Sequence, residues 1–344
     1  MSEAADRHRA RRGTPSRPRP VLFDTDIGSD VDDAVALALL LACRDALDLV
    51  AVTTVAGDTA ERARIAARLL GLAGRADVPV FVGASDAVLR PARFAVWDHV
   101  GKGLPDGPDA PVQDEPAPER IVRAARETPG LELLAVGPMT NLAQALALDP
   151  ELPRRVAGLT VMGGHVRRAA IGDKVFEPGI DYNLCSDPEA SVAVLGAGFA
   201  TTLVTADVTL QTWLRPPDVA RFEAAGPLAR AVAAQVRIWD PIQRKLFTDF
   251  GAEMPLDNVA FLHDPLTAWA LVDERSLAFE DLEIVTTIQG GVLRTIEAPK
   301  GLGLGVPMRV ATGVDAHAAE RAIVERIVRG GATGLDPESG LRPA

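Results

Sequence analysis

Short apolar runs alternate with longer helix-period runs over most of this chain. Residues 21–23 form the first apolar run, and residues 31–43 follow as a nearly all-apolar stretch of the length of a buried helix. Residues 47–55 are rich in β-branched side chains and predict a second strand. Asp58-Thr-Ala-Glu61 has the spacing of a capping box, opening a helix that runs to about Gly71. Further strands are predicted at residues 79–82, 131–136, 159–162 and 201–204, with helices at 119–127 and 139–148 between them. Asp187-Pro188-Glu189 orders an N-cap, a proline at the first helical position and a first-turn acid, so another helix starts there. Alternation of this kind from residue 20 to about 210 means repeated βα units. The fold class is therefore α/β, with a largely parallel central sheet flanked by helices in the Rossmann-like manner.

The remainder reads as one edge of the same unit. Residues 216 to about 248 are helical with Ala-rich amphipathic spacing, residues 265–272 make a short helix, strands fall near 284–288 and 306–311, and a closing helix spans 316–328. Two connections are long, 84–118 and 165–186; loops of that length commonly carry function. Gly301-Leu-Gly-Leu-Gly305 lacks the strand–turn–helix context of a dinucleotide loop and reads as a turn. Neither linker nor internal repeat interrupts the pattern. One domain over 20–334 is expected, preceded by a disordered basic leader, 1–19, and followed by a tail, 335–344.

Composition narrows the function classes. No apolar stretch reaches the roughly 18 residues that span a bilayer, so a membrane protein is not expected. Net charge is −11, and residues 1–20 hold six arginines against Glu3 and Asp6; that segment's +4 leaves −15 for the rest. A surface this acidic disfavours nucleic acid. The leader has no apolar core of a secretory signal, and Cys43 and Cys185 offer no disulfide framework. Both features point to a reducing cytoplasm.

The chemistry concentrates just after the first apolar run, where Asp24, Asp26, Asp30, Asp32 and Asp33 fall within ten residues. Two unit charges roughly 5 Å apart repel by about 0.8 kcal/mol in water and several-fold more in a cleft. Five at one chain turn call for a cation, and a carboxylate cage suits calcium, which takes six to eight oxygens, better than octahedral magnesium. Helix capping explains part of the cluster, since Asp30, Asp32 and Asp33 fit an N-cap and first-turn acids. Asp24 and Asp26 follow a strand instead, where open α/β sheets bind their ligands. Three more segments occupy expected strand ends: Val136-Gly-Pro-Met-Thr-Asn141, Asp181-Tyr-Asn183 with Asp187, and His263-Asp264-Pro265.

Together these segments resemble a known family. Asp24-Thr-Asp26-Ile-Gly-Ser-Asp-Val-Asp32-Asp33-Ala is similar to the amino-terminal signature of the calcium-dependent nucleoside hydrolases, the inosine-uridine preferring group. Gly137-Pro-Met-Thr-Asn-Leu-Ala143, Met162-Gly-Gly164, Tyr182-Asn183 with Asp187-Pro-Glu-Ala190, and His263-Asp-Pro-Leu266 match its later blocks in order, over roughly residues 20 to 330. The resemblance implies hydrolysis of the N-glycosidic bond of a small-molecule ribonucleoside, and assembly as a homodimer or homotetramer. It implies that Asp26, Asp33 and Asp264 give carboxylates and Val136 a backbone carbonyl to calcium. Asp26 would also take a proton from a calcium-bound water. Asp32 and Asn183 would hydrogen-bond the ribose hydroxyls, and His263 would protonate the leaving base.

The chain departs from the pattern in places. Asp58 stands where many members have asparagine, Asp181 replaces a glutamate that reaches the 5′-hydroxyl, Ile27 replaces a proline, and two extra residues, Asp30 among them, precede Asp32-Asp33. These changes bear on 5′-end recognition and base preference more than on the metal. His99 could line the site's mouth from its loop, whereas Trp239 and Phe247 read as core positions of an amphipathic helix rather than base-stacking residues. Two other functions compete: a non-catalytic ribose-binding protein on the same fold, and a magnesium-dependent haloacid dehalogenase-like phosphatase, whose nucleophile motif Phe23-Asp24-Thr-Asp26 also resembles.

Overall fold

The computed structural model describes residues 17–89, 101–179 and 181–332. The expected alternation is present: β1 (Arg19–Thr25), α1 (Asp32–Ala42), β2 (Leu47–Thr54), α2 (Thr59–Leu72), β3 (Val80–Val82), β4 (Val112–Gln113), α3 (Ala117–Glu127), β5 (Glu132–Ala135), α4 (Thr140–Leu148), α5 (Leu152–Arg155) and β6 (Gly158–Met162). A hairpin of β7 (Ala169–Ile171) and β8 (Lys174–Phe176) leads through α6 (Tyr182–Ser186) and α7 (Pro188–Leu195) to β9 (Thr201–Val204). Next come α8 (Ala206–Thr209), β10 (Trp213–Leu214), α9 (Pro216–Ala225), α10 (Pro227–Asp249), β11 (Ala260–Phe261) and α11 (His263–Trp269). The last elements are β12 (Leu277–Gln289), β13 (Val292–Glu297), β14 (Val306–Val314) and α12 (Ala316–Ala332).

Among the described residues ten strands make one sheet in the order β13-β12-β14-β9-β6-β5-β1-β2-β3-β4. From β14 to β4 all neighbours pair in parallel, and β12 alone runs antiparallel to both β14 and β13. The chain leaves β1 toward β2 on one side and later returns to β5 on the other. That reversal opens a crevice at the carboxyl ends of β1 and β5.

Burial on both faces explains why β1 reads as an unbroken apolar run, since Val21, Leu22 and Phe23 are all buried. In α1, residues 32–41 are all buried, with α2, α10, α11 and α12 packed around it. Val35, Leu37, Leu39 and Leu40 each contribute roughly 1.5–3 kcal/mol by this burial. The same packing carries Asp32 and Asp33, at the helix start, into the interior.

Several elements differ from the sequence expectation. The helix expected over 216–248 is two helices, broken at Gly226, whose φ of 139° and ψ of 178° suit glycine alone. The connection 165–186 holds the β7–β8 hairpin and α6. At the C-terminal edge three strands replace the two expected: β13 is the addition, and Gly290 and Gly291, with φ of 57° and 76°, mark a tight hairpin before it. Gly301 and Gly303 lie in a turn region, as expected. Cys43 and Cys185 are buried thiols, pushed up in pKa by burial, Cys185 to about 11. Among the described residues no helix is long and apolar enough to cross a membrane. The leader's residues 1–16 and the tail 335–344 lie outside the described residues.

Candidate active site

Gly28, at φ 109°, turns the chain between β1 and α1, and the turn aims carboxylates at the crevice. Asp30 is not the N-cap. It precedes the cap residue Val31, and its Oδ1 accepts from the amides of Val31 (2.6 Å) and Asp32 (3.4 Å). Asp32 Oδ1 accepts from the Asp33 amide at 3.1 Å, while Asp33 Oδ1 accepts from the Thr25 hydroxyl. Asp264 arrives on α11, and its amide donates to Asp32 Oδ2 at 3.3 Å. As a result, carboxylate oxygens of Asp32, Asp33 and Asp264 lie within 4.8 Å of one another, on side chains all buried.

On the far side of the crevice, Val136 ends the run of β5 and its carbonyl accepts from Asn183 Nδ2 at 2.6 Å; the same amide donates to the Met162 carbonyl at 3.2 Å. Gly137 explains how Asp26 fits. A Cβ there would stand 2.9 Å from Asp26 Oδ1 and 2.8 Å from Val55 Cγ1, so any side chain would displace the carboxylate.

These groups enclose a cavity of about 190 Å³. Its lining brings together Asp26, Asp32, Asp33, Val136, Asp181, Asn183, His263 and Asp264 of the expected set, and adds Asp30. Trp239, Leu246, Phe247 and Tyr182 form apolar wall. Trp239 is thus both core, 2% exposed, and cavity surface, and Phe247 too is more than the core position its helix suggests. Among the described residues no lysine or arginine lines the space.

Other expected residues fall elsewhere. Asp24 does not line the cavity: its Oδ1 accepts from Thr53 Oγ1 (2.5 Å) and Asn141 Nδ2 (2.7 Å), tying β1 to β2 and to the start of α4. Asp58 is exposed, outside the lining, and caps α2 by accepting from the Glu61 amide at 2.9 Å. Asp187 caps α7 and accepts from the Thr140 hydroxyl and Val88 amide, both at 2.8 Å. Asp181 lines the cavity yet spends Oδ1 on capping α6, through the Leu184 amide at 2.8 Å. His99 lies outside the described residues. Two of the four converging segments do not follow strands of the main sheet: Asp181 comes after the β7–β8 hairpin, and His263 after β11, which pairs only with β10.

Electrostatics here is dominated by burial. Desolvation raises the pKa of Asp26, Asp32, Asp33 and Asp264, with repulsion from neighbouring carboxylates adding to it for the last three, and lifts Asp181 to about 6, Asp24 to about 7 and Asp30 to about 8. Such a group must bind either protons or a cation. An all-oxygen donor set of carboxylates with a carbonyl alongside fits a hard divalent ion. His263 is pulled the other way, down to about 4, by loss of water around its ring. Its Nδ1 lies 2.6 Å from Thr209 Oγ1, and the ring sits 5.3 Å from that of Phe261.

A pH dependence follows. Aspartates in the unfolded chain titrate near 3.8, whereas Asp181, Asp24 and Asp30 hold their protons to about 6, 7 and 8 in the fold. The native state thus binds more protons across this window, so stability is full below about pH 4 for these groups and declines as pH rises through their folded values. In a chelating buffer the melting temperature should fall from about pH 5 to about pH 9, and a bound divalent cation should flatten the slope. Scanning calorimetry checks this; a melting temperature that climbs with pH in chelator would contradict it.

Comparison with known proteins follows the same direction. A family model described as inosine-uridine preferring nucleoside hydrolase matches residues 21–321. The pyrimidine-specific ribonucleoside hydrolase RihA of Citrobacter koseri is 35% identical over 269 residues, covering 74% of this chain and 80% of the relative. RihA of an Enterobacter species is 36% identical over 265 residues, with the same coverage. Among solved structures, the plant nucleoside hydrolase PpNRh1 superposes with a TM-score of 0.77 at 26% identity, over 90% of this chain and 99% of that one. A purine-preferring ribonucleoside hydrolase from Gardnerella vaginalis gives 0.78 at 24% identity, over 91% and 99%, a likeness of fold.

Proposed function

The chain belongs to the inosine-uridine preferring nucleoside hydrolase family, and from that premise we propose that it hydrolyses the N-glycosidic bond of ribonucleosides to ribose and free base, with calcium held by Asp26, Asp33, Asp264 and the Val136 carbonyl. The observation that carries this reading is the meeting of Asp32, Asp33 and Asp264 oxygens within 4.8 Å in a cavity that no lysine or arginine lines among the described residues. Asp32 has both oxygens engaged by backbone amides, which favours Asp26 over Asp32 as the third carboxylate of the ion. The small-molecule ribonucleoside is the partner; a cytoplasmic homodimer or homotetramer completes the reading.

When bound, calcium neutralises the carboxylates and makes water a stronger acid. Asp26 takes the proton of the attacking water. Asp32 and the amide oxygen of Asn183, whose Nδ2 is committed to the Val136 and Met162 carbonyls, accept from the 2′- and 3′-hydroxyls, and Asp181 reaches toward the 5′ end. As the glycosidic bond breaks, positive charge grows on the sugar, and the surrounding carboxylates stabilise it. Trp239, Leu246 and Phe247 offer the base a flat, apolar wall. His263, neutral at physiological pH in the empty site, holds its hydrogen on Nε2 when the Thr209 hydroxyl donates to Nδ1, and donates a hydrogen bond from there to the departing base, stabilising the negative charge that grows on it as the bond breaks.

Relatives named as pyrimidine-specific and as purine-preferring both resemble the chain, so base choice is read from a panel. Uridine, cytidine or inosine should yield reducing sugar and free base; silence across the panel would remove the reading. His263→Ala should slow natural ribosides by about 10²- to 10⁴-fold but a p-nitrophenyl riboside far less, because a phenolate leaves without a proton. Equal slowing of both substrates, with calcium affinity unchanged, would show that another donor protonates the base.

A further inference from the structure

Behind the acidic turn lies a buried arginine that lines no part of the cavity. Arg62, in the first turn of α2, is 1% exposed. Its guanidinium donates through Nη1 to the carbonyls of Asp26 and Ile27 (2.9 Å to the latter), through Nη2 to Ser29 Oγ (2.9 Å), and through Nε to the carbonyl of Ala56 (2.6 Å). Every one of these acceptors is neutral. The positive charge therefore acts at a distance, lowering Asp26 and Asp33 against the burial that raises them.

The acceptors are the informative part. Three of them belong to the turn that presents Asp26, and the fourth, Ala56, is the one non-glycine residue at positive φ (65°) among the described residues. Such a backbone persists only where its surroundings hold it. Ala56 and Gly57 in turn donate their amides to the carbonyls of Ala84 and Ser85, each at 2.8 Å. Arg62 thus ties the turn after β1 to the turn after β2, which is tied to the segment after β3. With the main-chain oxygens of Asp26 and Ile27 committed to the guanidinium, the Asp26 side chain is left facing the cavity, against Gly137.

We propose that Arg62 is the positioning residue of the metal-binding turn: its fork holds the main chain so that Asp26 meets both the cation and the attacking water. This rests on the calcium reading above. Charge and geometry make opposite demands here, which gives the proposal its test. If Arg62 mattered only as a charge, removing it would tighten cation binding, because a positive group near the site would be gone. If it acts by position, a lysine, which keeps the charge but lacks the rigid fork, should already fail.

Calorimetric titration of the calcium-stripped protein, with circular dichroism and melting in saturating calcium to check folding, separates these cases. Arg62→Lys should weaken calcium binding about tenfold or more and lower kcat with little change in KM; Arg62→Met should shift both in the same direction and further. Calcium binding by Arg62→Met as tight as wild type or tighter, or an unaltered kcat, overturns the proposal. Should neither variant fold, Ser29→Ala decides, since it keeps the arginine and removes one acceptor: weaker calcium binding by about threefold supports the positioning role, and unchanged affinity overturns it. Wild-type protein that binds no calcium would instead overturn the functional reading itself.

Discussion

Asp26→Asn should fold as the wild type does and lose about 10²- to 10⁴-fold in kcat, the usual worth of a general base. Asparagine matches aspartate in shape, so the space left by Gly137 and the main-chain bonds from Arg62 to residues 26 and 27 are undisturbed. Its amide oxygen can still face the cation. What it cannot do is accept a proton, and the substitution therefore removes one step while leaving the architecture intact. Steady-state rates in saturating calcium, alongside a melting curve, check the expectation. Turnover near the wild-type value would falsify the assignment of Asp26 as base, and Asp32, whose oxygens lie beside those of Asp33 and Asp264, would take its place.

A second large effect is expected on the substrate side. Thymidine or 2′-deoxyuridine should be hydrolysed about 10⁴-fold more slowly than uridine, because a site built to bond a hydroxyl punishes its absence by leaving buried polar partners unpaired. Asp32 and Asn183 are both buried, and Asn183 Nδ2 is committed to the Val136 and Met162 carbonyls, so it is the acceptor oxygen each turns to the sugar that loses its donor when the hydroxyl is missing. Intrinsic chemistry points the other way, since a 2′-hydroxyl withdraws electrons and makes the riboside bond the harder one to ionise. Preference for the riboside must therefore come from the site. Comparable kcat/KM for the two sugars would contradict this account of sugar recognition.

Much of this architecture was legible in the sequence for a physical reason. Strands such as β1 and β6, buried on both faces, are dominated by apolar residues, and their ends are where functional residues gather, so the clustered acids stand out just past the first such run. What could not be read depends on partners distant in the chain. Asp24 and Asp26 look equivalent as letters, yet Asp24 is consumed by Thr53, 29 positions away, and Asn141, 117 positions away. Arg62 sits among Arg64 and Arg68 on one helix, and only the packing separates the buried side chain from its solvated neighbours. Trp239 carries the apolar signature of a core residue because it is one, and its second surface toward the cavity leaves no trace in periodicity. The β13 hairpin leaves a weak trace because its half-exposed residues carry little apolar contrast, and its glycine pair is the stronger signal.

The most direct test of the central claim is release of reducing sugar from uridine and inosine by one protein sample assayed three times: in calcium, after stripping with chelator, and after calcium is restored. Hydrolysis of at least one riboside that disappears with the chelator and returns with calcium is the predicted result. Hydrolysis that continues undiminished in the stripped protein, or no release of ribose from either nucleoside in calcium, would contradict it.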